Sequence, residues 1–89
     1  MYKILPYTFK KAKALNVIVK PSNRKNKKID VFDKWGNYIV SIGDNRYLDY
    51  AYYLKFLGKK IADQKKTNYN LRHNKNNGVA GYYAKKLLW

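Results

Sequence analysis

The chain has no cysteine and no glutamate, and only one histidine and two prolines among 89 residues. Without cysteine, neither disulfides nor thiolate metal sites can brace the fold, and the redox compartment is left open. Without glutamate, all acidic chemistry falls to five Asp. No apolar run approaches the roughly 18 residues that a membrane span needs. The opening "MYKILPYTFKK" lacks the apolar core of a secretory signal. These absences lead us to expect a non-secreted protein with no membrane partner. The length fits one small domain spanning residues 1–89, and excludes a multidomain enzyme. A chain of this size buries roughly 60% of its unfolded surface, so a homodimer, or an anion relieving self-repulsion, would add useful stability.

What is abundant is positive charge: 20 Lys and Arg against 5 acids, a formal net charge of +15. Lysine, asparagine and tyrosine are also what an A/T-rich codon pool supplies, so the totals alone carry little weight. Placement carries more. Residues 1–28 hold nine basic groups and no acid, residues 29–54 hold two basic groups and four Asp, and residues 55–89 hold nine basic groups and one Asp. Charge segregated in this way is the footprint of a polyanion binder. Lysines outnumber arginines heavily, and a flexible point charge suits a phosphate backbone better than a base edge. The expected contacts are Lys10, Lys11, Lys13, Lys20, Arg24, Lys25, Lys27 and Lys28 from the first block, and Lys59, Lys60, Lys66 and Arg72 from the third. The run "NRKNKK" at 23–28 is equally a solvated loop in its own right.

The pattern predicts an α+β fold, a small antiparallel sheet with helices packed on it. "FKKAKALN" puts Phe9, Ala12 and Leu15 on one helical side and Lys10, Lys11 and Lys13 on the other, over about 7–15. "VIVKP" has the β-branched bias of a strand closed by Pro21. "KIDVFD" and "YIVSIG" alternate on either side of "DKWGN", which predicts a β-hairpin over 28–42. From Gly43 the period lengthens. Tyr47, Tyr50, Ala51, Leu54 and Leu57 share a helical face, with Asp44 or Asn45 placed to cap it and Gly58 to end it. "KKIADQKKTNYNLRHNK" continues as a polar helix, "NKNNG" at 74–78 reads as a loop, and "VAGYYAKKLLW" as a docking helix.

No catalytic constellation emerges. Asp33 and Asp44 suit turn and cap positions, Asp49 suits an ion pair with a lysine or Arg46, and His73 suits a helix C-terminus. With no metal-ligand spacing, phosphate-cradling glycine loop or nucleophile motif, neither enzyme activity nor a cofactor or metal is expected. Most of the ten tyrosines fall on stripes suited to core or dimer interface. Trp35 at the hairpin tip, with Phe32 or Tyr38 beside it, is better placed to stack on a base.

The segments "KKIDVFDKWGNYIVSIGD", "YLDYAYYL", "NYNLRHNK" and "GYYAKKLLW", in this order and spacing, resemble a group of short, basic proteins of large double-stranded DNA viruses of eukaryotes, the giant viruses, some of them virion components. The resemblance runs from Tyr7 to Trp89. Its shared positions fall near Asp49, Tyr52, Arg72 and His73, and it implies no catalytic role for them. It implies packaging with a viral genome or action early in infection, and so a place in the virion and the infected cell, in cytoplasm or nucleus. The resulting expectation is a sequence-tolerant nucleic-acid binder, with DNA favoured over RNA. The competing expectation is a minor virion or host-interaction protein, whose basic face meets an acidic protein partner and whose C-terminal helix supplies an apolar anchor.

Overall fold

The computed structural model describes residues 2–73 and 78–89. Residues 74–77, which carry most of the expected "NKNNG" loop, lie outside the described residues. The β-branched and alternating segments pair as a three-stranded antiparallel meander: β1 (Val17–Pro21), β2 (Lys27–Asp33) and β3 (Tyr38–Asp44), in that spatial order. Before the sheet comes helix α1 (Pro6–Ala14). After it come α2 (Tyr50–Leu57), α3 (Lys59–Arg72) and α4 (Val79–Leu87). The expected hairpin is therefore present as β2–β3, within an α+β fold.

Local chemistry explains the strand ends. In the β2–β3 turn, Asp33 Oδ1 accepts from the backbone N–H of Trp35 and of Asn37, each at 2.9 Å. Gly36 supplies the positive φ of 89° that the turn requires. The register slips between Val31 and Phe32, where the pairing moves from Val31↔Val40 to Phe32↔Tyr38 and leaves Ile39 as the extra residue of a bulge. The β1–β2 connection is the basic run itself. It turns at Asn26, a residue in the left-handed region at φ 64°, where Asn is tolerated better than most side chains.

Cross-strand register sorts the two faces of the sheet. Val19, Val31 and Val40 share one face with Ile29 and Ile42. Helices α1 and α4 cover that face through Ala12 and Leu87, and Ile4 and Leu88 complete the core. The two covering helices are joined by Thr8, fully buried, whose hydroxyl donates to the Leu87 carbonyl at 3.0 Å. The opposite face carries Ile18, Phe32 and Tyr38 in one cross-strand row and Lys20, Asp30 and Ser41 in the next.

Helices α2 and α3 form an antiparallel pair hinged at Gly58, whose φ of 88° closes one helix and opens the other. An aromatic seam ties this pair to the sheet domain: Trp89 stacks on Tyr69 at 4.5 Å and meets Tyr53, and Tyr7 meets Tyr50. No described helix is long and apolar enough to cross a membrane.

Three sequence expectations need correction. The cap of α2 is Asp49, and Asp44 instead pairs with Arg46 in the preceding loop. Tyr47, expected on the core stripe, precedes the helix and is 68% exposed, while Leu54 and Leu57 also reach solvent because only the first turn of α2 is buried. Phe9 is exposed as well. The core side of α1 is set by Thr8 and Ala12, since Thr8 alone among these residues can satisfy the Leu87 carbonyl.

Candidate nucleic-acid interface

Lysines become recognition elements only where they are free of carboxylates. Among the described residues, the ion-paired cations are Lys28 with Asp49, Arg46 with Asp44, and Lys59 with Asp63. Asp30 and Asp33 serve hydroxyl and backbone donors. Every Asp is thus occupied locally, and most of the basic shell is left uncompensated.

The expected contacts fall in three places. Lys10 and Lys13 are exposed on α1, and Lys11 between them is half-buried. Its ammonium donates to Tyr7 Oη at 3.0 Å, and burial together with the charge of Lys86 on α4 pushes its pKa down. Lys20, Arg24, Lys25 and Lys27 surround the β1–β2 turn and are all exposed. Lys60 and Arg72 are exposed on α3, Lys59 is held by Asp63 at 2.7 Å, and Lys66 lies over the Tyr50 ring at 5.2 Å. The N-terminal lysines and the α3 lysines therefore do not form one stripe. They converge only near Tyr7, where Lys11 and Lys66 flank the Tyr7–Tyr50 pair.

Lys28 is corrected outright. Its side chain is 4% exposed and its ammonium lies 3.1 Å from Asp49, which is itself fully buried. The same carboxylate accepts from the Tyr2 hydroxyl and caps α2 by accepting from Tyr52 N–H at 3.3 Å. Burial, then the hydrogen bond to Asp49, drives the Tyr2 phenol far above its ordinary range. Lys28 is a structural cation, closed off from any phosphate.

The face of the sheet that no described helix covers brings together residues that the sequence placed only near one another. Phe32 and Tyr38 meet edge-to-face at 6.0 Å. Lys20 lies over the Phe32 ring at 5.5 Å and the Arg24 guanidinium over the Tyr38 ring at 5.1 Å. Beneath them Tyr38 Oη and Ser41 Oγ lie 2.8 Å apart, and Ser41 donates to Asp30 at 2.6 Å. Trp35 extends from the hairpin tip, 76% exposed, with Lys34 4.8 Å over its ring. Lys34 was missed in the sequence because it stands alone in an acid-rich block, and its adjacency to Trp35 was the available signal.

A concavity of about 650 Å³ opens between β3, α3 and α4, lined by Lys27, Lys65, Arg72 and His73 over the Tyr69–Trp89 stack. His73 caps α3 and stacks on Tyr69 at 4.4 Å. The two pairs marked by the resemblance have separate roles: Asp49 and Tyr52 fix the start of α2, and Arg72 and His73 end α3. Among the described residues no group of three His or Asp side chains is placed to hold a metal ion. Comparison with known proteins returns no matching family model, no curated relative and no solved structure of similar fold.

Proposed function

We propose that the protein binds nucleic acid without catalysing a reaction, contacting the phosphate backbone through lysines with little dependence on sequence, and that duplex DNA is a principal ligand. The observation that carries this reading is the uncompensated basic shell: cations from α1, the β1–β2 turn and α3 stand at the surface without carboxylate partners. Resemblance to giant-virus proteins adds a context, association with a viral genome. Lysine-dominated contacts give affinity through counterion release, and the rarity of arginine argues against base readout.

The test is a salt titration of affinity for a labelled DNA duplex, with heparin as competitor. About six phosphate contacts predict a slope of log K against log salt near −5. A Lys25→Gln/Lys27→Gln variant should flatten that slope by about 2. A duplex affinity indistinguishable from that for heparin, with no change in the variant, would reject the proposal.

One observation favours a second reading, an acidic protein partner, with its apolar anchor elsewhere than in the C-terminal helix, whose Leu87 and Leu88 are buried in the core. Leu54, Phe56 and Leu57 are exposed around the α2–α3 hinge, next to Lys55, Lys59 and Lys60, and exposed apolar groups rimmed by charge resemble a protein interface. Retained duplex binding in a Phe56→Ser variant that has lost a protein partner would separate the two.

A further inference from the structure

We propose that the uncovered face of the sheet is a stacking platform for single-stranded DNA, distinct from the lysine surface that holds duplex. This inference rests on the nucleic-acid reading above and adds to it a second ligand form with its own residues.

A half-buried aromatic on a solvent-facing sheet is normally a packing residue awaiting a helix. Here both helices that touch the sheet lie on its other side, and among the described residues no helix covers the row of exposed Ile18, half-buried Phe32 and exposed Tyr38. The charges around this row are arranged by sign. Lys20 and Arg24 approach the two rings from the β1 side and from the turn, and Lys34 lies beside Trp35 beyond the hairpin tip. Asp30 lies toward the middle of the face, paired across the sheet with Lys20 on one side and Ser41 on the other, whereas at the hairpin tip both oxygens of Asp33 are taken up by Trp35 and Asn37 of the turn. A phosphate is repelled from the centre and attracted to the rim, whereas a base edge is received at the centre, where Asp30 accepts from exocyclic amino groups.

That distribution suits a strand whose bases turn inward and whose backbone follows the edge. It does not suit a duplex, which offers only phosphates to a flat face and keeps its bases paired. Aromatic rings on four-stranded sheets accommodate about two or three bases, and the two rings on this three-stranded face suit about two. Stacking accepts every base, which matches the absence of arginine-based readout elsewhere. The strand is assigned as DNA because the reading above takes DNA as the ligand, and the RNA arm of the experiment tests that assignment.

The experiment compares a deoxycytidine oligomer of about twelve nucleotides, whose bases carry the exocyclic amine that Asp30 would accept, the matching RNA and a DNA duplex at about 0.15 M salt. The wild-type chain is measured beside Trp35→Leu/Tyr38→Leu and Phe32→Leu variants. Trp35 and Tyr38 are exposed, so the double variant is expected to melt like wild type, and a thermal melt checks this. Should the double variant melt low, tryptophan emission of a Trp89→Phe variant, in which Trp35 is the one remaining indole, serves instead, with quenching by the single strand and not by duplex. The inference expects single-strand affinity to fall about ten-fold or more in the double variant, with duplex affinity unchanged. Equal losses on both DNA forms, no loss on either, or tighter binding of the RNA would overturn it. A wild type that binds duplex but no single strand would overturn this inference alone. One that binds neither would remove the nucleic-acid reading with it.

Discussion

Removing the Lys28 ammonium while keeping its apolar bulk, as Lys28→Met, should destabilise the fold by about 3 kcal/mol. Breaking a buried ion pair from one side leaves the other charge uncompensated, a loss of about 3 to 5 kcal/mol. The lower end applies because Asp49 keeps its bonds to Tyr2 and to the Tyr52 N–H. Asp49→Asn should lose about as much for the converse reason: asparagine still caps α2, but Lys28 is stranded with only the Tyr2 ring at 5.5 Å. The double variant carries neither buried charge and retains the cap, so it should lie within about 1.5 kcal/mol of wild type, leaving a coupling of several kcal/mol. Against a total stability of about 4 to 13 kcal/mol for a domain of this length, each single change is large. It lowers the midpoint of a thermal melt followed by circular dichroism by roughly 12 to 24 °C. Lys28→Met should leave the salt slope of duplex binding unaltered, unlike Lys25→Gln/Lys27→Gln. A single variant as stable as wild type, or a double variant that loses the sum of the two, would refute the assignment of Lys28 as a structural cation.

Other expectations are independent of that pair. Gly43→Ala should cost about 1 to 3 kcal/mol. Gly43 sits at φ 79°, and a Cβ there would lie 2.8 Å from Leu88 Cδ1 in the core and 3.0 Å from Lys28 Cδ; urea unfolding measures the loss. Trp35→Leu should be neutral within about 0.5 kcal/mol in the same assay, because nothing in the described structure buries its ring. Acid should weaken the domain modestly between about pH 4 and pH 2. The Arg46 guanidinium holds Asp44 down to about 2, and Lys59 with Tyr50 holds Asp63 low, so their stabilisation is complete above the unfolded carboxylate pKa and fades as pH falls through the folded values. Alkali should unfold it above about pH 10. Burial raises Tyr2, Tyr7 and Tyr69, and the hydrogen bond to Asp63 raises Tyr50. The folded state therefore keeps protons that the unfolded chain releases, and phenolate absorbance should rise together with loss of helix signal.

Local pattern made the sheet legible and tertiary geometry withheld the rest. Alternation in "KIDVF" and "YIVSI", with Asp33 and Gly36 between them, specifies the β2–β3 hairpin because strand period and turn chemistry are both local. Helix α2 was placed too early because Asp44, Asn45 and Asp49 are all competent caps, and the choice among them is made by Lys28 and Tyr2, more than twenty residues away. The apolar stripe of α2 misled for a related reason: Leu54 and Leu57 have helical spacing, but only the first turn meets the rest of the molecule. In the candidate interface, Lys20, Arg24 and Trp35 were legible as exposed basic and aromatic groups. Lys28 was not, since burial of one lysine in a row of lysines depends on a carboxylate from another element. The pairing of Lys20 with Phe32 and Arg24 with Tyr38 follows from strand register, which composition does not reveal.

The hydroxyl of Thr8 closes a loop of 79 residues when it reaches Leu87, whereas Ile29 meets Ile42 after 13. Closing the longer loop in a disordered chain is harder by about 1.6 kcal/mol of entropy. The meander therefore has the lower entropic threshold, and the two covering helices come together over a sheet that is already paired. Until they do, Val19, Val31 and Ile42 face water in a strand-rich surface, the condition under which chains associate with one another. Refolding yield should then fall with protein concentration and with added salt, which screens the repulsion between chains of charge +15. The excess lysine thus has a second effect, acting before any ligand is met: it keeps half-folded copies apart long enough for the first helix to meet the last.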